Sequence, residues 1–588
     1  MRVPTRLVLV LALLAVIGAS VWYLTRPTNP DPANPGNPDG PPAGPGRLVV
    51  VVVFDQFRGD YLARWAAQFG PDGFERLKRE GVWYADAHLP YACTSTGPGH
   101  ASIATGAPPS AHGIVENDWF QRTPSPRLVY CAEPTRPHER VPPLAVTGGT
   151  PSRGAGIGFS ADRLLVETLA DRLRNATGGK GRVVSLSIKD RAAALMGGKQ
   201  PDAAYCFDTR DGLFHTFSNY RDKVHPWVEE LNRSGAVNRW VGQNWTRLRA
   251  DLDYDRLAGR DDAPGEGYGA KQGRVFPHPM SDEKAPGPRY YAAVETSPFG
   301  NELLLELAKK AVTAEKLGRG EAADLLCLSF SSNDLIGHIW GPDSHEVLDV
   351  TLRSDRIMAD LLGFLDTEVG KGRYAVVLTA DHGVGPIPEQ KRLPTADRLS
   401  LNALLPQLPA ALDETFGPAP AGLTRWLELD TKDALSVWPW VYLNHQAIRS
   451  RGLDPAVVAD FAAQWLGNRP SQLVAFTRRQ VETGTMPPGA GPEVRPILDR
   501  MKLAYHPDRC GDLVVVPLPG VIVSGYPEGT GHGTPHPYDS HVPVLAAGLG
   551  VPALGKQDRR ASALLVAPIA AKSLGIDPPA GAVEKVGW

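Results

Sequence analysis

The chain has 588 residues, against about 100 to 200 for a usual domain, so its length allows several domains or one domain enlarged by insertions. Forty-two percent apolar residues, with 13 Trp, 16 Tyr and 16 Phe, exclude a mainly disordered chain. The 62 basic and 64 acidic residues leave a net charge of −2, which excludes a broad basic surface, and no nucleic-acid binding is expected.

In chain order, Arg2 and Arg6 precede an uncharged apolar run from Leu7 to Leu24, 18 residues that would span about 27 Å as a helix. A basic start and an apolar run read as an export segment, residues 1–25, either a signal peptide or a membrane anchor. Gly18-Ala19-Ser20 offers small residues for cleavage, but the apolar run continues through Leu24, which favours the anchor. From Pro27 to Gly46, 12 of 20 residues are Pro or Gly, an extended linker over residues 26–46 that buries no core. Two arginines before the run, Arg2 and Arg6, against the single Arg26 just after it place the folded body, residues 47–588, outside the cytoplasm, in the periplasm or its equivalent. The membrane is touched only through the N-terminal segment.

Four apolar runs in the body are each followed by polar residues: Leu48–Phe54 by Asp55; Val183–Ile188 by Lys189-Asp190-Arg191; Ala323–Phe330 by Asp334 and His338; Tyr374–Ala380 by Asp381-His382-Gly383. Runs apolar on both faces predict strands covered by helices on both sides, an α/β fold of three α/β/α layers with a largely parallel central sheet. Ligands of such sheets bind beyond the carboxyl ends of the strands. The stretches 201–295 and 389–520 add no strand-end chemistry and read as insertions capping the site.

Each cluster also has a plainer reading. Asp55 after five valines is an N-cap or turn aspartate, and Asp334 and His338, four apart, form an ordinary surface pair on a helix. Lys189 and Arg191 are a solvated pair, unless strand alternation turns both cations to one pocket and Asp190 away. Asp381-His382 after a strand is sharper, with Gly383 allowing the bend, and His532 sits in the glycine-rich Gly529–Thr534 loop, where a histidine has little structural reason to be. Taken together, three Asp and three His suit two zinc ions with three protein ligands each, a pair that clamps the entering and leaving oxygens of a phosphoryl displacement. In the segment Cys93–Gly106 a hydroxyl enters a short helix, whose N-terminus holds anions; the plainer reading makes Thr94, Ser95 or Thr96 simply its N-cap.

The set VVVVVFDQFR, CTSTGPGHASIATG, HGIVEND, SIKDRAAALMGGK, SSNDLIGHIWGP, TADHG and GTGHGTPHPYDSHVPVLAAG resembles the alkaline phosphatase superfamily, specifically the phosphate-irrepressible, PafA-type alkaline phosphatases with a threonine nucleophile. The resemblance runs from about Arg47 to Gly548. It implies a phosphomonoester hydrolase with Thr96 as nucleophile, a covalent phosphothreonine and release of inorganic phosphate. One zinc would be held by Asp55, Asp381, His382 and the Thr96 oxygen, the other by Asp334, His338 and His532. Asn117, Lys189 and Arg191 would contact the phosphoryl oxygens, joined by the backbone N–H of Gly97. Small phosphate monoesters are the implied substrates.

Other readings compete. A phosphodiesterase of the nucleotide pyrophosphatase group would share the threonine, the asparagine and the metal sites, but the cations Lys189 and Arg191 favour a monoester dianion. A sulfatase lacks its C/S-x-P-x-R motif here, and the cytoplasmic phosphoglycerate mutases use serine. A non-catalytic tethered binding module is disfavoured because all ten expected positions are filled. Trp240, Trp245 and Trp340 are candidates for lining the site or packing the core; His345, His536 and His541 are candidates for orienting ligands. The five cysteines, Cys93, Cys131, Cys206, Cys327 and Cys510, contain no C-x-x-C pair and are given no catalytic role.

Overall fold

Five consecutive valines between Leu48 and Phe54 make a strand, β1, buried along its whole length on both faces. β-branched side chains favour extended backbone, and burial on both faces places the strand inside a sheet covered twice. The protein is described by a computed structural model at residues 47–144, 157–280, 285–418, 425–468 and 472–588. The expected export segment and linker lie outside the described residues. No helix among the described residues is long and apolar enough to cross a membrane.

The central sheet has ten strands: β1, β2 (Gly81–His88), β3 (Arg140–Val141), β4 (Val183–Ser187), β5 (Ala203–Asp208), β6 (Leu213–Phe217), β7 (Asp324–Phe330), β8 (Tyr374–Thr379), β9 (Val544–Gly548) and β10 (Gly555–Ser562). Their order is β10-β2-β9-β8-β1-β7-β4-β5-β6-β3. The middle of the sheet, β8-β1-β7-β4-β5, is parallel throughout. Antiparallel pairings enter only through β9, β6 and β3, while β10 again lies parallel to β2. The four predicted apolar runs are thus the four adjacent strands β8, β1, β7 and β4, and their carboxyl ends share one edge.

Two helix layers cover the sheet. In one, α1 (Thr96–Thr105), α2 (Asp190–Gly197) and α6 (Val566–Leu574) pack together, α2 and α6 also against the strands. In the other, α3 (Pro298–Ala314), α4 (Ser332–Trp340) and α5 (His345–Leu365) pack together, with α3 against β4 and β7.

The stretch 201–295 does not begin as an insertion: Ala203–Asp208 and Leu213–Phe217 extend the central sheet. Their hairpin was hidden by Pro201 and by a polar turn, yet Ala203–Asp208 is fully buried. The stretch 389–520 has a separate three-stranded sheet, Trp440–Val441, Leu513–Pro517 and Leu473–Thr477, and its own apolar core with Leu408, Leu412, Trp426 and Val458. Trp245 and Trp340 are fully buried and Trp240 nearly so, stacked on Phe299; all three pack core rather than line the site. The five cysteines are buried and unpaired.

Candidate active site

Six elements end at one edge of the sheet, and each delivers a chemically capable group. β1 runs into Asp55, β8 into Asp381 and His382, and β7 into α4, which carries Asp334 and His338 one turn apart on one face. β4 runs into α2, capped by Lys189; α1 begins at Thr96; and the 529–534 loop brings His532. Asp55, Thr96, Asp334, Asp381 and His382 are buried at 3% exposure or less. The His338 side chain is 37% exposed, so the site opens to solvent on the side of Asp334, His338 and His532 and is sealed around Asp55, Asp381 and His382.

The Thr96 hydroxyl is where these groups meet. Arg191 Nη2 donates to its Oγ1 at 3.2 Å, Lys189 Nζ lies 3.5 Å away and His382 Nε2 also 3.5 Å. Lys189 and Arg191 do face one pocket, but helical geometry rather than strand alternation turns them there, since Lys189 caps α2 and Arg191 lies in its first turn. Lys189 also bridges two carboxylates, at 2.8 Å from Asp55 Oδ2 and 2.6 Å from Asp334 Oδ2. The Gly97 N–H donates to Asn117 Oδ1 at 2.8 Å instead of standing free for a phosphoryl oxygen. That bond fixes the amide so that its NH2 end is left to donate. Gly383 adopts no left-handed turn; what a Cβ there would strike is the backbone of Tyr538, so close approach is its reason.

All three histidines are set with Nδ1 toward a backbone carbonyl: His338 to Thr530 at 2.8 Å, His382 to Gly383 at 3.0 Å and His532 to Thr94 at 2.8 Å. Each carbonyl accepts the Nδ1 proton and so leaves Nε2 facing carboxylates. His338 Nε2 and His532 Nε2 lie 3.2 and 3.6 Å from Asp334 Oδ1, and His382 Nε2 lies 3.4 Å from Asp381 Oδ2 and 3.6 Å from Asp55 Oδ1. Asp55 Oδ1 is buried without a hydrogen bond. Imidazole nitrogens and carboxylate oxygens converging at these distances fit divalent cations, which would take the place of any proton shared between them.

Charge supports the same conclusion. Burial, and then Asp381 and Asp334, push Asp55 well above the usual carboxylate range. Burial also acts on Asp334, but His338 and Lys189 outweigh it and hold that carboxyl well below the range. Burial lowers Lys189, yet Asp334 and Asp55 more than reverse this and keep it cationic. Burial, with His382 and His338 alongside, drives His532 far down, so it is neutral and able to coordinate.

Other residues hold the site that sequence reasoning passed over. His100, fully buried one turn into α1, lies 2.9 Å from the Thr96 carbonyl, 3.1 Å from Asp381 Oδ2 and 2.8 Å from Ser329 Oγ. Glu116 accepts from Ser95 Oγ at 2.9 Å and from the Asn117 N–H at 3.0 Å, holding the amide's segment against α1. The glutamine after Asp55 contacts two of the acids. Of the histidines considered as orienting groups, His345 pairs with Asp255 and Asp261, His536 with the Pro517 carbonyl and His541 with the Ala85 carbonyl. None of these partners is among the six ligand residues.

A three-layer α/β fold with paired Asp/His sets and a threonine hydroxyl at one sheet edge is that of the alkaline phosphatase and phosphodiesterase superfamily. The chain belongs to the type I phosphodiesterase / nucleotide pyrophosphatase family, whose model matches residues 49–539. It is of the PafA type: it is 32% identical to alkaline phosphatase PafA of Elizabethkingia meningoseptica over 543 residues, 92% of this chain and 93% of that one. It is 33% identical to alkaline phosphatase PhoV of Synechococcus elongatus over 545 residues, 92% of each chain. The crystal structure of PafA superposes with a TM-score of 0.80 at 30% identity, covering 92% of this chain and 98% of that one. A variant of PafA, also solved, replaces a threonine and an asparagine 21 positions apart and a lysine and an arginine two apart. Such relatives imply use of divalent metal, and the ligand groups above are available for it.

Proposed function

We propose that this protein is a zinc-dependent alkaline phosphatase that hydrolyses small phosphate monoesters through a phosphothreonine at Thr96. The observation that carries this reading is the convergence of Lys189 Nζ, Arg191 Nη2 and His382 Nε2 on the Thr96 hydroxyl, within 3.5 Å. The spacings of Thr96 to Asn117 and of Lys189 to Arg191, 21 and two, equal those of the four residues replaced in the PafA variant. Asp55, Asp381 and His382 would hold one zinc together with Thr96, and Asp334, His338 and His532 the other. When bound, the two ions supply Lewis acidity to the attacking and leaving oxygens.

The residues of the chain do the rest. Arg191 and Lys189 stabilise the Thr96 alkoxide once its proton has passed to solvent, and Thr96 Oγ forms a bond to phosphorus while the bond to the leaving alkoxide breaks and that oxygen takes a proton from solvent. Asn117, Lys189 and Arg191 meet the non-bridging oxygens of the transferred phosphoryl group, where negative charge is concentrated in the transition state. Arg191 Nε, buried with no acceptor, is a second donor for such an oxygen. Water then attacks the phosphothreonine, entering from the open His338 side, and releases inorganic phosphate and the free Thr96 hydroxyl. In wild type, acid quench of turnover should yield a peptide carrying one phosphoryl group on Thr96. Thr96→Ala should lose that label and turnover by orders of magnitude; a variant keeping most activity would rule the nucleophile out.

The family name brings phosphodiesters in as a second reading. A diester replaces one charged oxygen by an ester group, which Lys189 and Arg191 match less well. Rates on an aryl phosphate and on its methyl diester discriminate the two. The basic and apolar N-terminal segment supports a periplasmic or other extracytoplasmic location, with residues 7–24 as an inner-membrane anchor; fractionation of expressing cells tests this.

A further inference from the structure

The residue after Asp55 has no role in the chemistry above, yet it is buried at the site in a strained backbone conformation. Gln56 is 3% exposed and has φ of 65°, in the left-handed region that residues bearing a Cβ rarely occupy. Strain of this kind persists where the surroundings impose it, and it clusters at functional sites. The turn at Gln56 sends its two donors in different directions. Its main-chain N–H donates to Asp381 Oδ1 at 3.1 Å, beyond β8, and its side-chain Nε2 donates to Asp334 Oδ1 at 2.7 Å, on α4.

These acceptors belong to different ligand sets. Asp334 Oδ1 is the oxygen that faces His338 and His532, while Asp381 faces His382 and Asp55. α4 makes room for the amide with a glycine, since a methyl at Gly337 would overlap Gln56 Oε1. A glutamine amide is neutral at every working pH, so it orders Asp334 without adding a charge, while the main-chain N–H orders Asp381.

We propose that Gln56 is a positioning residue that ties the two ligand sets together, so that fixing one acid for its ion orders the other and the two zinc ions load cooperatively. This rests on the two-zinc reading. Gln56→Gly tests it well, because glycine accepts the left-handed turn and keeps the N–H to Asp381 while removing the amide to Asp334. Zinc-free Gln56→Gly is expected to melt no lower than zinc-free wild type. In zinc titrations of the purified protein, monitored by calorimetry and metal analysis, wild type should take up two ions cooperatively. The variant should bind them in separate steps, the weaker about 10- to 100-fold below wild type, as for loss of an outer partner of a ligand. Its turnover should recover as zinc is raised.

Gly337→Ala should copy this phenotype by displacing the amide, and should add nothing when placed on Gln56→Gly. An unchanged zinc titration in Gln56→Gly overturns the proposal. So does turnover that stays low with both ions bound, or a further loss of affinity from Gly337→Ala on top of Gln56→Gly. A wild type that takes up fewer than two zinc ions instead overturns the two-zinc reading itself, and this proposal with it.

Discussion

Arg191→Ala should separate monoester from diester chemistry. Arg191 Nη2 already lies 3.2 Å from Thr96 Oγ1, so a phosphoryl group on that oxygen is within its reach, and Nε of the same guanidinium, buried without an acceptor, is left over as a second donor. A hydrogen bond to a charged group contributes about 1.5–3 kcal/mol, and loss of one preorganised oxyanion donor costs about 10²–10³ in turnover. The two donors share a guanidinium and are lost together, so kcat/KM for an aryl phosphate should fall about 100- to 1,000-fold, since about 1.4 kcal/mol is tenfold. For the corresponding aryl methyl diester, which carries one charged oxygen fewer, the loss should be about tenfold. Initial rates on both substrates at saturating zinc measure the two ratios. Equal losses, or a monoester loss below about tenfold, would refute the assignment of Arg191 to the phosphoryl oxygens.

Three further outcomes are expected. Dialysis against a chelator should abolish activity, and zinc added back should restore it; a tethered binding module has no turnover to lose. The zinc-free protein should also melt lower, since a ligand at 1,000 times its Kd stabilises by about 4 kcal/mol. His100→Ala, which removes the imidazole between the Thr96 carbonyl and Asp381, should weaken zinc binding by about 10- to 100-fold, measured by competition with a chelator. Glu266 supplies a pH prediction: burial and then Glu346 raise its carboxyl to about 9. The folded state then binds more protons than the unfolded one between its ordinary value and about 9. Its contribution is present in acid and lost as pH rises through that window, and Glu266→Gln should flatten the fall of Tm between pH 5 and 9. A variant with an unchanged slope would show that other groups set it.

Much of the site could be read along the chain because the local physics is strong. A strand apolar on both faces must lie inside a covered sheet, and polar residues directly after it must emerge at the sheet's edge. Asp55, Asp381 and His382 were legible for that reason, and the four-residue spacing of Asp334 and His338 anticipated one face of α4. The hairpin of β5 and β6 was not legible, because its short strands carry polar neighbours and their burial comes from elements remote in sequence. The direction of Lys189 and Arg191 was expected from strand alternation and is set by the start of α2.

By itself, the sequence determined the parallel strands, the charge balance that confines anion binding to a few cations, and the set of acids, imidazoles and hydroxyls at the strand ends. Only the tertiary structure decided how these groups are held. Gln56 reaches Asp334 across 278 positions and Asp381 across 325, His100 reaches Ser329 across 229, and the Gly97 N–H is claimed by Asn117. Periodicity reports which face of an element is buried. Which partner a polar group meets there depends on where the sheet order and the loops bring distant segments, and that is a property of the packed whole.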